Sequence, residues 1–238
     1  MSALKYRLRG MLRNCAHRFG LNVSRHVPLS RALISNGINI VFDIGANQGQ
    51  FGAELRQHGY RGRIVSFEPM TAAYTQLMHR SRKDKLWEVH ERCAVGAEER
   101  IISINVSKNS GSSSILPIIA EHTVAAPDSV YVGKESVNQI RFDQVFADYL
   151  RPDDRFFMKI DTQGYEKEVM LGAQEALKRV AGLQVEISFF ELYENQPSYK
   201  YFLKWAEENS FCIWSIHDGF SNLEVSKTLQ ADICFFRV

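Results

Sequence analysis

The stretch IVFDIGANQGQF at residues 40–51 limits what this chain can fold into more than any other. A strand-type run carries Asp43 near its end. A turn follows with glycines at Gly45 and Gly49, and then a helix-like segment. Glycines lack a Cβ, so backbone there can pass close to a ligand. Dinucleotide binders use G-x-G-x-x-G, which seats a pyrophosphate on the helix N-terminus. Here only two glycines are present, and Asp43 stands two residues before the first. That carboxylate would repel a pyrophosphate. It suits a ligand bearing an ammonium group, such as S-adenosylmethionine (SAM), with its amino-acid end and sulfonium.

A second short strand, RIVSFEP at residues 63–69, ends in Glu68. Glu68 lies 19 residues after Gly49. That spacing fits an acidic residue that takes ribose hydroxyls about 20 residues beyond the glycine turn. The bland reading of Asp43 and Glu68 is a pair of strand-end caps or solvated charges.

Two further stretches complete a pattern: the run Gly111, Ser112, Ser113, Ser114, and MKIDTQGYEKEVMLGA at residues 158–173. Together with VFDIGANQGQF and SFEP they resemble the FkbM family of SAM-dependent methyltransferases, over residues 38–238. The most specific part is K-I-D-x-x-G-x-E-x-x-V-x-x-G-A, carried here by Lys159, Ile160, Asp161, Gly164, Glu166, Val169, Gly172 and Ala173. The resemblance implies a Rossmann-like class I methyltransferase fold, an α/β architecture. Its sheet would be mostly parallel and twisted, with a final antiparallel strand and helices on both faces. It also implies O-methylation of a hydroxyl on a sugar, glycoconjugate or related natural product. Cofactor-binding candidates are Asp43, Gly45, Asn47, Gly49, Glu68, Ala94 and Asp161.

The charge is unevenly distributed. No Asp or Glu precedes Asp43, while Lys5, Arg7, Arg9, Arg13, Arg18, Arg25 and Arg31 do. Taking those seven from the 29 Lys and Arg leaves 22 against 27 Asp and Glu, a net of −5 for the rest. The expected organisation is a basic helical arm over residues 1–37 and a methyltransferase domain over residues 38–238. Apolar residues of the first 20 recur at helical spacing. That pattern reads either as a helix packed on the domain or as a membrane-surface or docking arm. The overall charge of +2 gives no reason to expect nucleic acid. Cys15, Cys93, Cys212 and Cys234 show no C-x-x-C and read as reduced thiols. With no span-length apolar run and no signal-peptide core, the expected location is cytoplasmic, with peripheral membrane contact through the arm as an option.

From Ile40 onward strands alternate with helices, which argues for a parallel sheet with right-handed crossovers. Residues 87–95, WEVHERCAV, read as one third strand, with residues 101–106 paired beside it. Residues 107–138 read as an irregular excursion, either a lid or substrate wall or a surface loop with a small β pair. Residues 166–178 read as one helix.

Ligands of open α/β sheets bind beyond the carboxyl ends of the strands. That rule gathers Asp43, Glu68, Asp161, Glu186 and His217. O-methylation requires a hydroxyl placed in line with the sulfonium methyl and relieved of its proton. The catalytic candidates are Asp161 and His217, with His122 a weaker rival. Asp161 reads alternatively as a turn cap, and His217 as a structural histidine. Asp161 with Glu186 could hold a divalent metal, though no tight ligand spacing supports one. Glu191, Tyr193 and the serine run are candidates for contacting a polyhydroxylated acceptor. Two other readings stay open here: a nicotinamide-dependent oxidoreductase, disfavoured by the missing third glycine, and a non-catalytic partner protein keeping the fold.

Overall fold

The computed structural model describes residues 28–222 and 225–238. The basic helix expected over residues 1–20 lies outside them. In chain order the strands are β1 (Ile40–Ile44), β2 (Arg63–Phe67), β3 (Trp87–Val89), β4 (Ala94–Val95), β5 (Arg100–Ser107), β6 (Tyr131–Ile140), β7 (Phe156–Ile160), β8 (Gly182–Ser188), β9 (Phe211–Asp218), β10 (Ser221–Asn222), β11 (Lys227–Thr228) and β12 (Gln230–Arg237).

Seven of them form one sheet in the order β3-β2-β1-β7-β8-β12-β9. The pairs from β3 to β8 are parallel, and β12 runs antiparallel to both its neighbours. Every residue of β1 and β7 is buried. Parallel strands covered on both faces are mostly apolar for this reason, and here Asp43 and Lys159 are the exceptions. Ile40, Phe42 and Ile44 point into a core with Val169 and Met170 of the helix Glu166–Leu171 and Phe202 of the helix Tyr199–Glu208. Val41 points the other way, into a core with Leu33 of the helix Leu29–Ser35, Leu55 of the helix Gln50–Gln57 and Leu77 of the helix Thr71–Ser81. Helices therefore cover both faces. The second face carries a polar row in register: Ser66, Asp43, Lys159 and Gln184 across four neighbouring strands. All four are buried.

Three expectations change. WEVHERCAV is not one strand. After Val89 the polar residues leave the sheet: His90 Nδ1 lies 2.6 Å from Tyr149 Oη, and Arg92 donates to the Pro69 carbonyl. Ala94 and Val95 then pair in parallel with β6 in a separate three-stranded sheet, where β5 pairs antiparallel with β6 rather than beside β3. Second, the 107–138 excursion contributes most of β6, whose inward side shows only Val137 and Gln139 fully buried. Third, the helix expected over residues 166–178 is broken at Gly172. A Cβ there would meet the Gly96 carbonyl oxygen at 1.9 Å. A fresh helix, Gln174–Arg179, begins after the break. Asp143 caps it from outside, accepting from the amides of Glu175 and Ala176.

Candidate active site

The carboxyl ends of β1, β2 and β7 open onto a cavity. Gly45, Asn47, Glu68, Met70, Ala94, Asp161, Gln163 and Tyr165 are among its walls. The turn after β1 enters with Gly45 at φ 77°, where its amide and that of Ala46 both donate to the Phe67 carbonyl. A Cβ on Gly45 would meet the Asp161 carbonyl oxygen at 1.8 Å. This glycine is needed chiefly so that two neighbouring strand ends can approach, more than to admit a ligand. Gly49, at φ 81°, does not line the cavity; its missing Cβ makes room for Leu77 and Trp87.

Glu68 is 4% exposed. One oxygen accepts from the Asn47 amide at 2.7 Å and the other from the Met70 amide at 2.8 Å. Burial pushes its carboxyl up to about 7 against those two hydrogen bonds. Each oxygen keeps a further acceptor position. Asn47, at φ 47°, has its side-chain oxygen buried without a partner.

Asp43 is placed differently from the sequence expectation. It is fully buried on the polar row and is not part of the cavity wall. Its neighbours are Lys159, with Nζ 3.5 Å from Oδ1, and Ser66, whose hydroxyl donates to Oδ2 at 3.4 Å. The cation beside it is thus internal. Burial is the main cause raising its carboxyl pKa, with Lys159 opposing. Lys159 also donates to the Gly45 carbonyl at 3.0 Å and reaches Asp161 Oδ2 at 3.1 Å. One buried ammonium therefore ties the glycine turn, Asp43 and Asp161 together. It is held charged by the two aspartates despite its desolvation.

Asp161 stands at the far side of the cavity, its side chain 30% exposed. Gln163 follows at φ 54°, in a turn that also holds Gly164. The Gln163 amide nitrogen donates to Asp161 Oδ1 at 2.9 Å and to Glu186 Oε2 at 2.7 Å. The Asp161–Glu186 pair considered for a metal is therefore joined by an N–H donor. Among the described residues no group of three or more His, Cys, Asp or Glu has metal-binding geometry. Glu166 clasps the same turn, its Oε1 accepting from the amides of Thr162 and Gly164.

The serine run folds over the site. Gly111, Ser113 and Ser114 line the cavity, and Ser114 donates to the Gln163 carbonyl at 2.6 Å. Tyr193 is fully buried and donates to the Gln163 side-chain oxygen at 2.9 Å. Glu191 is exposed and accepts from the Asn195 amide. His122 is buried against Tyr193 and Phe220, outside the cavity wall, and burial lowers its pKa to about 4.

His217 is not brought to Asp161. It lines a second cavity with Leu29, Glu54, His58, Gln184 and Asp232, and the two cavities share no lining residue. The shared strand-end position misled here: β9 sits at the sheet's edge, beyond β12, so its end lies across the polar face. Sequence reasoning also passed over Lys159, Gln163 and Tyr165 as site groups, although all three stand inside the KIDTQGYE motif.

The family described as "Methyltransferase FkbM domain" matches residues 43–212. No curated protein is a sequence match. Among solved structures, the chain is similar to magnesium protoporphyrin IX methyltransferase (ChlM) from Synechocystis PCC 6803 with bound SAM, at 10% identity. That match covers 88% of this chain and 76% of the other, with a TM-score of 0.46. It is also similar to an rRNA methylase from Streptococcus thermophilus, at 10% identity over 91% of this chain and 98% of the other, with a TM-score of 0.48.

Proposed function

The chain belongs to the FkbM family of SAM-dependent methyltransferases, and we propose that it methylates a hydroxyl of a sugar, glycoconjugate or related natural product, with Asp161 taking the hydroxyl proton. The nicotinamide reading falls with the family assignment. The observation that carries the proposal is the pairing of Glu68 and Asp161 across one cavity, with an orphaned Asn47 oxygen beside them. These groups fit SAM. Glu68 offers acceptor positions to ribose hydroxyls. Ala94 and Val95 line the cavity where a base could pack. The turn at Gly45 and Asn47 meets Asp161 where an amino-acid end would lie.

SAM, when bound, supplies an electrophilic methyl group. The remaining work belongs to the protein. Lys159 places an opposite charge 3.1 Å from Asp161 Oδ2. An ionised carboxylate can accept the hydrogen of an incoming hydroxyl and take its proton as the methyl is transferred. Ser113, Ser114, Gln163 and Tyr165 supply neutral polar groups around it, and among the described residues no Lys or Arg lines the cavity. Such a wall suits a neutral polyhydroxylated acceptor better than a phosphodiester. The amide between Asp161 and Glu186 supports chemistry that needs no divalent metal.

The test is purified protein with methyl-labelled SAM and a glycan extract of the source organism, with and without EDTA. A labelled O-methyl sugar formed equally in both is the expected product. Label confined to protein or RNA would reject the acceptor class. No product with any acceptor fraction would favour the non-catalytic partner reading. Asp161→Asn should lower the rate by roughly 10²–10⁴.

A further inference from the structure

We infer that Gln163 is a positioning residue for this reaction, aiming the Asp161 carboxylate by bridging it to Glu186. The inference rests on Asp161 acting as proposed above.

The Gln163 amide has no slack in its hydrogen bonding. Its nitrogen has two hydrogens, one for Asp161 Oδ1 and one for Glu186 Oε2. Its oxygen accepts from Tyr193 Oη. The two carboxylates can only accept, so they select the nitrogen end of the amide, and the buried Tyr193 hydroxyl, which also reaches the Ser112 carbonyl at 3.5 Å, holds the other end. The backbone is fixed as well. Gln163 adopts φ 54°, a conformation that non-glycine residues rarely take, and its carbonyl is held by Ser114 Oγ. Strain of this kind persists where the surroundings over-determine it, and it gathers at active sites.

The consequence falls on Asp161. Oδ2 is held by Lys159 and Oδ1 by Gln163. With one donor at each oxygen the carboxylate plane is set, and its remaining lone pairs are left for a ligand. The charged and titratable groups facing it are Lys159 on its own strand, Asp43 on β1, Glu166 on the following helix, Glu186 on β8 and Asp232 on β12. All but Lys159 are acids. Two ionised carboxylates have only acceptors to offer each other, so a donor must lie between them. Gln163 is that donor. Without it, Asp161 loses its fixed aim.

The experiment compares Gln163→Leu, Tyr193→Phe and Asp161→Asn, all full-length, measuring kcat with labelled SAM and the glycan extract and SAM affinity by calorimetry. For Gln163→Leu, kcat should fall at least about tenfold with SAM affinity within about twofold. Tyr193→Phe should show the same split with a smaller loss, and it carries the test if Gln163→Leu does not fold. An unchanged kcat, or a parallel loss of SAM affinity, would make Gln163 merely structural and overturn the inference. Full turnover by Asp161→Asn would instead sink the reading of Asp161 itself, whatever Gln163 does.

Discussion

Two turns meet at the cavity, and each is clasped by a glutamate. The turn after β1 gives its Asn47 amide to Glu68, which also takes the Met70 amide. The turn after β7 gives the amides of Thr162 and Gly164 to Glu166. Both glutamates are buried, and burial pushes both carboxyls up to about 7. They differ in where their oxygens face. Glu68 spends one hydrogen bond on each oxygen and lines the cavity. Glu166 gathers its bonds on a single oxygen and stays out of the wall. A buried glutamate with a raised pKa is therefore not by itself a ligand-binding one. Access to the cavity separates a cofactor group from a turn clasp.

The largest effect is expected where the two turns touch. Gly45→Ala puts a Cβ against the Asp161 carbonyl at positive φ, which should cost about 3–5 kcal/mol of stability. Denaturant midpoints measure it. A loss under about 1 kcal/mol would mean that the turns can part, and that neither positions the other.

Glu166→Ala should come next, at about 1–3 kcal/mol, because it strands the amides of Thr162 and Gly164. Its SAM affinity should change little. Glu166→Gln sharpens the point through pH. The wild-type carboxyl titrates near 7 in the fold against 4.5 when free. Between those values the native state binds more protons than the unfolded one, so stability falls as pH rises through that window and levels off above it. The amide variant should show a shallower fall in thermal midpoints taken from pH 4.5 to 7. An unchanged slope would remove Glu166 as a source.

The smallest effect belongs to His217. His217→Ala should leave methyl transfer within about threefold, where losing a general base would cost roughly 10²–10⁴. A loss of that larger size would bring the second cavity into the chemistry and undo the contrast between the turns.

Much of this was legible in the residues. The alternation of strands with helices from Ile40 pointed to a parallel sheet, and of the residues picked out by spacing Gly45 and Glu68 line the cavity while Gly49 does not. Asp161 followed from its strand end. What stayed hidden depended on contacts between distant segments. The break at Gly172 answers to Gly96, 76 positions away. Asp43 looked like a ligand group because Lys159, its partner across β7, has no sequence proximity to reveal it. His217 shared the right strand end, but the sheet order places β12 between β8 and β9. The role of Gln163 required seeing Tyr193 and Glu186 arrive at one amide.

The claim that Glu68, and not Glu166, faces the cofactor is tested most directly by titrating SAM calorimetrically into the wild type, Glu68→Ala and Glu166→Ala at a temperature where all three are folded. Glu68→Ala should lose about 1.5–3 kcal/mol of binding free energy, the worth of charge-assisted bonds to ribose. Glu166→Ala should bind within about twofold of the wild type, a difference of roughly 0.4 kcal/mol. Equal affinity in Glu68→Ala and the wild type, or an equal loss in both variants, would contradict the assignment.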